Sequence, residues 1–130
     1  MTAESEIQRD IQMEAPKAGA RLLRNNIGAY QDETGRWVHY GVGGKGGADL
    51  LGWCEKVITP EMVGATVAII TACEVKGSDW RPPKSGKQFE RWKLQQQFVA
   101  AINQAGGIAT VASSVDDLTR AINGYQPPRK

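Results

Sequence analysis

Apolar positions fall into two stretches with a helical period and several short runs that read as strands. From Glu4 to Glu14, Ile7 and Ile11 lie four residues apart, and Glu4 shares a side with Gln8 one turn on. The pattern predicts a helix with Glu4 on its core-facing side and Glu6, about 200° round at 3.6 residues per turn, pointing away. Pro16 and Gly19 end it. Residues 20–26 look extended, and Asp32-Glu33-Thr34-Gly35 is a turn before the strand-like residues 36–40, which suggests a hairpin. A glycine-rich loop at 41–47 leads to a strand at 48–53, a connector at 59–62 and the most strand-like run, 66–75. After a polar loop at 77–85, Phe89, Trp92, Phe98, Val99 and Ile102 give a helical period that Gly106-Gly107 stops. Residues 108–112 form a short strand. Ser114, with Asp117 three residues on, opens a last helix that runs to about Asn123, and the tail 124–130 is expected to fray. This order predicts an α/β fold in which helices flank a mixed central β-sheet.

The chain has 130 residues, which suits one compact domain spanning 1–130. Hydrophobic residues are 41% of it, with 15 glycines besides, a balance that excludes disorder and collagen-like repeats. No apolar run approaches the roughly 20 residues that span a bilayer, and the acidic start lacks a signal sequence's basic and apolar regions. No membrane association is expected, and the location is read as cytoplasmic. Net charge is only +2, yet it is unevenly spread. Residues 1–16 carry a local −3, and residues 76–93 a local +4 from Lys76, Arg81, Lys84, Lys87, Arg91 and Lys93 against Asp79 and Glu90. Such a basic stretch suits phosphate contacts, or simply a solvated face.

Among candidate chemistries, several fail. Cys54 and Cys73 with the single His39 make no zinc set, and are read as structural thiols. Gly41-x-Gly43-x-x-Gly46 matches a dinucleotide fingerprint in spacing alone. No helix opens at the loop and no carboxylate follows at the right distance, so no nucleotide cofactor is expected. A hydrolytic triad would depend on His39 in mid-strand. What remains is the end of the 66–75 strand, where period-two alternation places Glu74 and Lys76 on one face. Charges at the end of an apolar strand are costly unless paired or used. With Asp49 after the glycine loop and Glu4 on the first helix, they would make a hard-oxygen site suited to Mg2+.

These residues, in this order, resemble the virus-type replication-repair nuclease (VRR-NUC) domains of the PD-(D/E)XK superfamily, in their small stand-alone phage or bacterial form. The resemblance runs from Glu4-Ser5-Glu6-Ile7-Gln8 through residues 23–28, 46–52 and 58–64 to Glu74-Val75-Lys76, Gln95 three residues before Phe98, and Ala105-Gly106-Gly107. It implies a PD-(D/E)XK, restriction-endonuclease-like core. It further implies Asp49 and Glu74 as metal carboxylates, the Val75 carbonyl as a further metal ligand, and Lys76 as the group that positions and polarises the attacking water. Glu4 matches the acid of the first helix, with Glu6 as its near neighbour, and Gln95 matches the helix glutamine, with Gln96 and Gln97 beside it. Ala48-Asp49 stands where the superfamily has Pro-Asp, as is usual within this family.

The implied function is an Mg2+-dependent endonuclease, Mn2+ substituting, that hydrolyses phosphodiester bonds in four-way (Holliday) junctions or other branched DNA. It would act in repair or recombination as a homodimer, in the host cytoplasm if phage-encoded. Arg21, Arg24, Asn25, Lys45, Arg81, Lys84 and Lys87 are candidates for contacting the DNA. Trp80, Trp92 and Tyr30 are candidates for a dimer interface or for stacking on DNA, with core packing as the alternative for Trp92. Two further functions stay open: a flap or single-strand nuclease within a repair complex, and a non-catalytic module that binds branched DNA.

Overall fold

A computed structural model describes residues 3–129. They form a mixed α/β architecture with three helices and six short strands, and the chain divides into two compact units, Met1–Val57 and Ile58–Lys130. Parallel and antiparallel pairing are both present, as expected, but in three two-stranded ladders among the described residues.

The first unit opens with α1 (Glu4–Glu14), followed by a 3-10 turn at Ala15–Ala18. The strands are β1 (Ala20–Arg24), β2 (Gly28–Gln31), β3 (Trp37–Tyr40) and β4 (Leu50–Cys54). β2 and β3 form a hairpin around the predicted turn, with Tyr30 opposite Val38, though its first strand, Gly28–Gln31, lies beyond the run read as extended. Its turn is built by Asp32, whose Oδ1 accepts from the Thr34 hydroxyl at 2.6 Å, the Thr34 amide at 2.9 Å and the Arg36 amide at 3.0 Å. The 20–26 run is shorter than expected. It ends at Arg24, because β1 pairs antiparallel with β4, from Ala20 opposite Cys54 to Arg24 opposite Leu50.

One expectation for α1 is corrected. Its half-buried positions are Gln8 and Gln12, on the side that Glu4 shares, whereas Ile7 and Ile11 are each 46% exposed and Glu4 itself is exposed. The face turned inward lies one residue, about 100°, round from the predicted apolar stripe. It is fixed by a polar contact, since Gln12 Nε2 donates to the Leu22 carbonyl at 3.3 Å.

The second unit holds β5 (Thr71–Val75), α2 (Gly86–Ala105), β6 (Ile108–Ala112) and α3 (Val115–Asn123). β5 and β6 run parallel, from Thr71 opposite Ile108 to Val75 opposite Ala112, and α2 is the crossover that packs on both. The predicted 66–75 strand shrinks to its last five residues because its partner is five residues long. Ile102, 1% exposed, packs with Ile108, Ala109 and Ala112 in the core of this unit. α2 ends where Gly106 takes φ 104°, a left-handed cap that glycine adopts without a Cβ penalty.

Asn103, in the last turn of α2, binds Ala109 twice. Its Nδ2 donates to the Ala109 carbonyl at 3.0 Å and its Oδ1 accepts from the Ala109 amide at 2.8 Å. The predicted cap of α3 forms, with the Ser114 hydroxyl accepting from the Asp117 amide at 3.1 Å. The shorter Asp117 side chain reaches back to the Ser113 amide, at 3.0 Å, where a capping-box glutamate reaches the cap residue itself. Beyond α3 the chain is irregular, yet the Tyr125 hydroxyl donates to the Gly106 carbonyl and ties the start of the tail to the end of α2. Lys130, at the end of the tail expected to fray, lies outside the described residues. No helix among the described residues is long and apolar enough to cross a membrane.

Candidate functional site

The expected site residues divide between the two units. Glu4, Arg21, Arg24, Asn25, Lys45 and Asp49 belong to the first; Glu74, Val75, Lys76, Arg81, Lys84, Lys87 and Gln95 belong to the second.

In the second unit, Glu74, Lys76 and Gln95 come together. Glu74 lies near the end of β5, and the Lys76 amide donates to the Ala112 carbonyl at 2.9 Å, which carries the ladder one step past the strand. Alternation then sends both side chains to one face. Gln95 reaches the same place from α2. Lys76 Nζ lies 3.3 Å from Glu74 Oε1 and donates to Gln95 Oε1 at 3.1 Å. Their side chains are part-buried, Lys76 18% and Glu74 32% exposed, so this pair is shielded from solvent far more than a surface ion pair. The ammonium thus has one hydrogen bond, to Gln95, and one ion pair, with Glu74.

Two indoles complete the surroundings of Lys76. Nζ is 5.1 Å from the centre of the Trp80 ring and 5.5 Å from that of Trp92, within cation–π range of both. The rings meet edge to face, with centroids 4.7 Å apart at 63°. Trp80 stands at the end of a turn in which its amide donates to the Gly77 carbonyl at 3.1 Å. Neither tryptophan was expected to bear on Lys76. The available signal was two indoles bracketing the basic stretch, but their convergence depends on the course of the 77–85 loop. Beside this cluster, a shallow concavity of about 320 Å³ opens between β5 and α2, lined by Ala72, Cys73 and Glu74 on one side and by Arg91, Leu94, Gln95 and Phe98 on the other.

The remaining second-unit candidates are exposed. Arg81 donates to the neighbouring Trp80 carbonyl at 2.9 Å, Lys84 lies on the loop, Lys87 starts α2, and Val75 is 74% exposed.

In the first unit, Asp49 is an exposed bend residue just before β4, and its carbonyl accepts from the Asn25 amide at 2.8 Å. Arg21 lies over the Trp53 ring at 5.3 Å, across the β1–β4 ladder. Arg24 and Lys45 are exposed, the latter in the 3-10 turn Gly44–Gly46 of the glycine loop. Asn25, expected on DNA, has its amide engaged within the unit. Nδ2 donates to the carbonyls of Val42 at 2.8 Å and Ala48 at 2.9 Å, and Oδ1 accepts from the Val42 amide at 2.9 Å. Cys54 and Cys73, read as structural thiols, are both free and exposed.

The donor chemistry suits Mg2+, since the Glu74 and Asp49 carboxylates and the Val75 carbonyl are hard oxygens. No group of three or more His, Cys, Asp or Glu side chains is gathered for a metal among the described residues, and of the expected metal carboxylates the second unit contributes Glu74 alone. Comparison of the chain with protein-family models, with curated proteins and with solved structures finds no match.

Proposed function

We propose that this chain is a metal-dependent, structure-selective DNA endonuclease that hydrolyses phosphodiester bonds in branched DNA, four-way junctions first among them. The observation that carries the reading is the cluster of Glu74, Lys76 and Gln95 at the end of a parallel strand, with an ammonium held in a part-buried setting. The resemblance of the sequence to VRR-NUC domains, with the PD-(D/E)XK core that it implies, supports the same reading. Mg2+ or Mn2+ would supply a water of lowered pKa; the ligands that the resemblance implies are Glu74 and the Val75 carbonyl in the second unit and Asp49 and Glu4 in the first. The chain's own part is positional and electrostatic. Gln95 and Glu74 fix the Lys76 ammonium beside the two indoles, and its positive charge would stabilise a phosphate oxygen on which charge develops. Arg21, Arg24, Lys45, Arg81, Lys84 and Lys87 would add phosphate contacts that carry affinity without reading sequence. A homodimer would offer two such sites to a junction with paired strands.

A second reading, a non-catalytic module for branched DNA, is favoured by the setting of Lys76, whose four neighbours also describe a packed structural lysine. The deciding test is cleavage of a labelled four-way junction beside flap, nicked and linear duplexes, with Mg2+, Mn2+ or EDTA. Junction-selective cutting by the wild type, lost in EDTA and in Glu74→Ala, is the expected result. Flap or single-strand products without junction cutting would move the substrate to the repair-complex alternative. Binding of the junction without cutting in either metal would leave the module.

A further inference from the structure

The segment between β1 and β2 and the glycine-rich loop form one compact knot, and Asn25 is its fastener. Through its backbone, Asn25 extends the β1–β4 ladder by one bond, to the Asp49 carbonyl at 2.8 Å. Its side chain then clasps the loop at both ends: at Val42, through the amide and the carbonyl, and at Ala48, through the carbonyl. These three side-chain bonds are 2.8–2.9 Å long and join residues 17 and 23 positions apart in sequence. The loop closes tightly on the same segment, for a Cβ at Gly47 would lie 2.4 Å from Ile27 Cδ1 and 2.2 Å from the Val42 carbonyl oxygen.

The asparagine amide is the one uncharged group of this size that offers two N–H donors and an acceptor from a single planar head. Both donors and one lone pair of the acceptor are in use, so this side chain has little left for a nucleic-acid base or phosphate. What it holds is the loop and Asp49 directly after it.

We propose that Asn25 is a positioning residue that fixes the 41–48 loop and thereby sets Asp49 in its working geometry, rather than a residue that contacts DNA. The role assigned to Asp49 rests on the nuclease reading above; the clasp does not. The test is amide hydrogen exchange on the whole chain, together with junction binding and cleavage, for wild type, Asn25→Ala and Asn25→Asp. The aspartate preserves side-chain volume and one acceptor, but turns a carboxylate oxygen toward the two carbonyls that the amide satisfied. It therefore opens the clasp without leaving a void.

Exchange across 41–48 should rise by about tenfold in both variants, while the β5–β6 ladder keeps its protection. Cleavage kcat should fall by about tenfold, with the Kd for the junction within about twofold of wild type. Unchanged loop exchange in Asn25→Asp overturns the proposal. So does a freed loop with undiminished kcat, and so does a weakened Kd with the loop still protected, the signature of a DNA contact. If the wild type cleaves no DNA, the nuclease reading fails on its own account and the exchange arm alone decides whether Asn25 holds the loop.

Discussion

Lys76 makes four contacts through one nitrogen, and they differ in kind. Glu74 supplies opposite charge, Gln95 a neutral acceptor, and Trp80 and Trp92 ring faces. The neutral acceptor tunes position without altering net charge, so Gln95→Leu isolates its part. Removing a partner that orients a reactive group typically lowers activity by about 10–100-fold, and junction cleavage by this variant should fall in that range with DNA affinity retained. A variant at wild-type kcat would remove Gln95 from the site. At this scale the sequence was informative where a short local rule applied. Period-two alternation along the strand placed Glu74 and Lys76 together, and the resemblance singled out Gln95 from three successive glutamines. Trp80 was not legible, because its place over Lys76 follows from a loop whose course no local rule dictates. The bonds of Asn25 were not legible either, because its partners Val42 and Ala48 lie 17 and 23 positions away in sequence.

The elements show the same division. α3, β6 and α1 stand at or close to their predicted bounds because caps, glycines and prolines mark them in the sequence. Pairing is non-local, so the choice of β4 as the partner of β1, and the trimming of β5 to the length of β6, could not be read from either strand alone. Two of the local devices carry a pH signature. The Asp32 carboxyl sits below its ordinary value, chiefly because the Thr34 hydroxyl donates to it and next because the Arg36 amide does. Asp117 is lowered first by the Ser113 amide and then by Arg120. Both folded values lie below the unfolded one, about 3.9 for aspartate. Their contribution to stability is therefore complete above that value and lost as pH falls through the folded values. Thermal melts followed by circular dichroism should show Tm dropping below about pH 4, and a double Asp32→Asn, Asp117→Asn variant should lose part of that dependence. Parallel curves for variant and wild type would contradict the assignment.

For the whole molecule, a length of 130 residues sets how much core can form but not which elements share it. The buried apolar residues Ile102, Ile108, Ala109 and Ala112 all belong to the second unit. The candidate phosphate contacts are spread over both, with Arg81, Lys84 and Lys87 in the second. If these three neutralise duplex phosphates, their joint replacement by alanine should reduce the slope of log K against log salt by about 2.7. It should weaken binding evenly across sequences; an unchanged slope would take all three off the DNA. The pairing of Asn103 with Ala109 also matters once many copies of the chain are present. In a parallel ladder, alternate residues of β6 turn their peptide groups away from β5, and Ala109 is one of them. By mimicking a neighbouring peptide, the Asn103 amide stoppers a strand edge that could otherwise template a foreign chain. Asn103→Leu should leave that edge open, and concentrated solutions should then gain thioflavin-positive aggregates sooner than wild type.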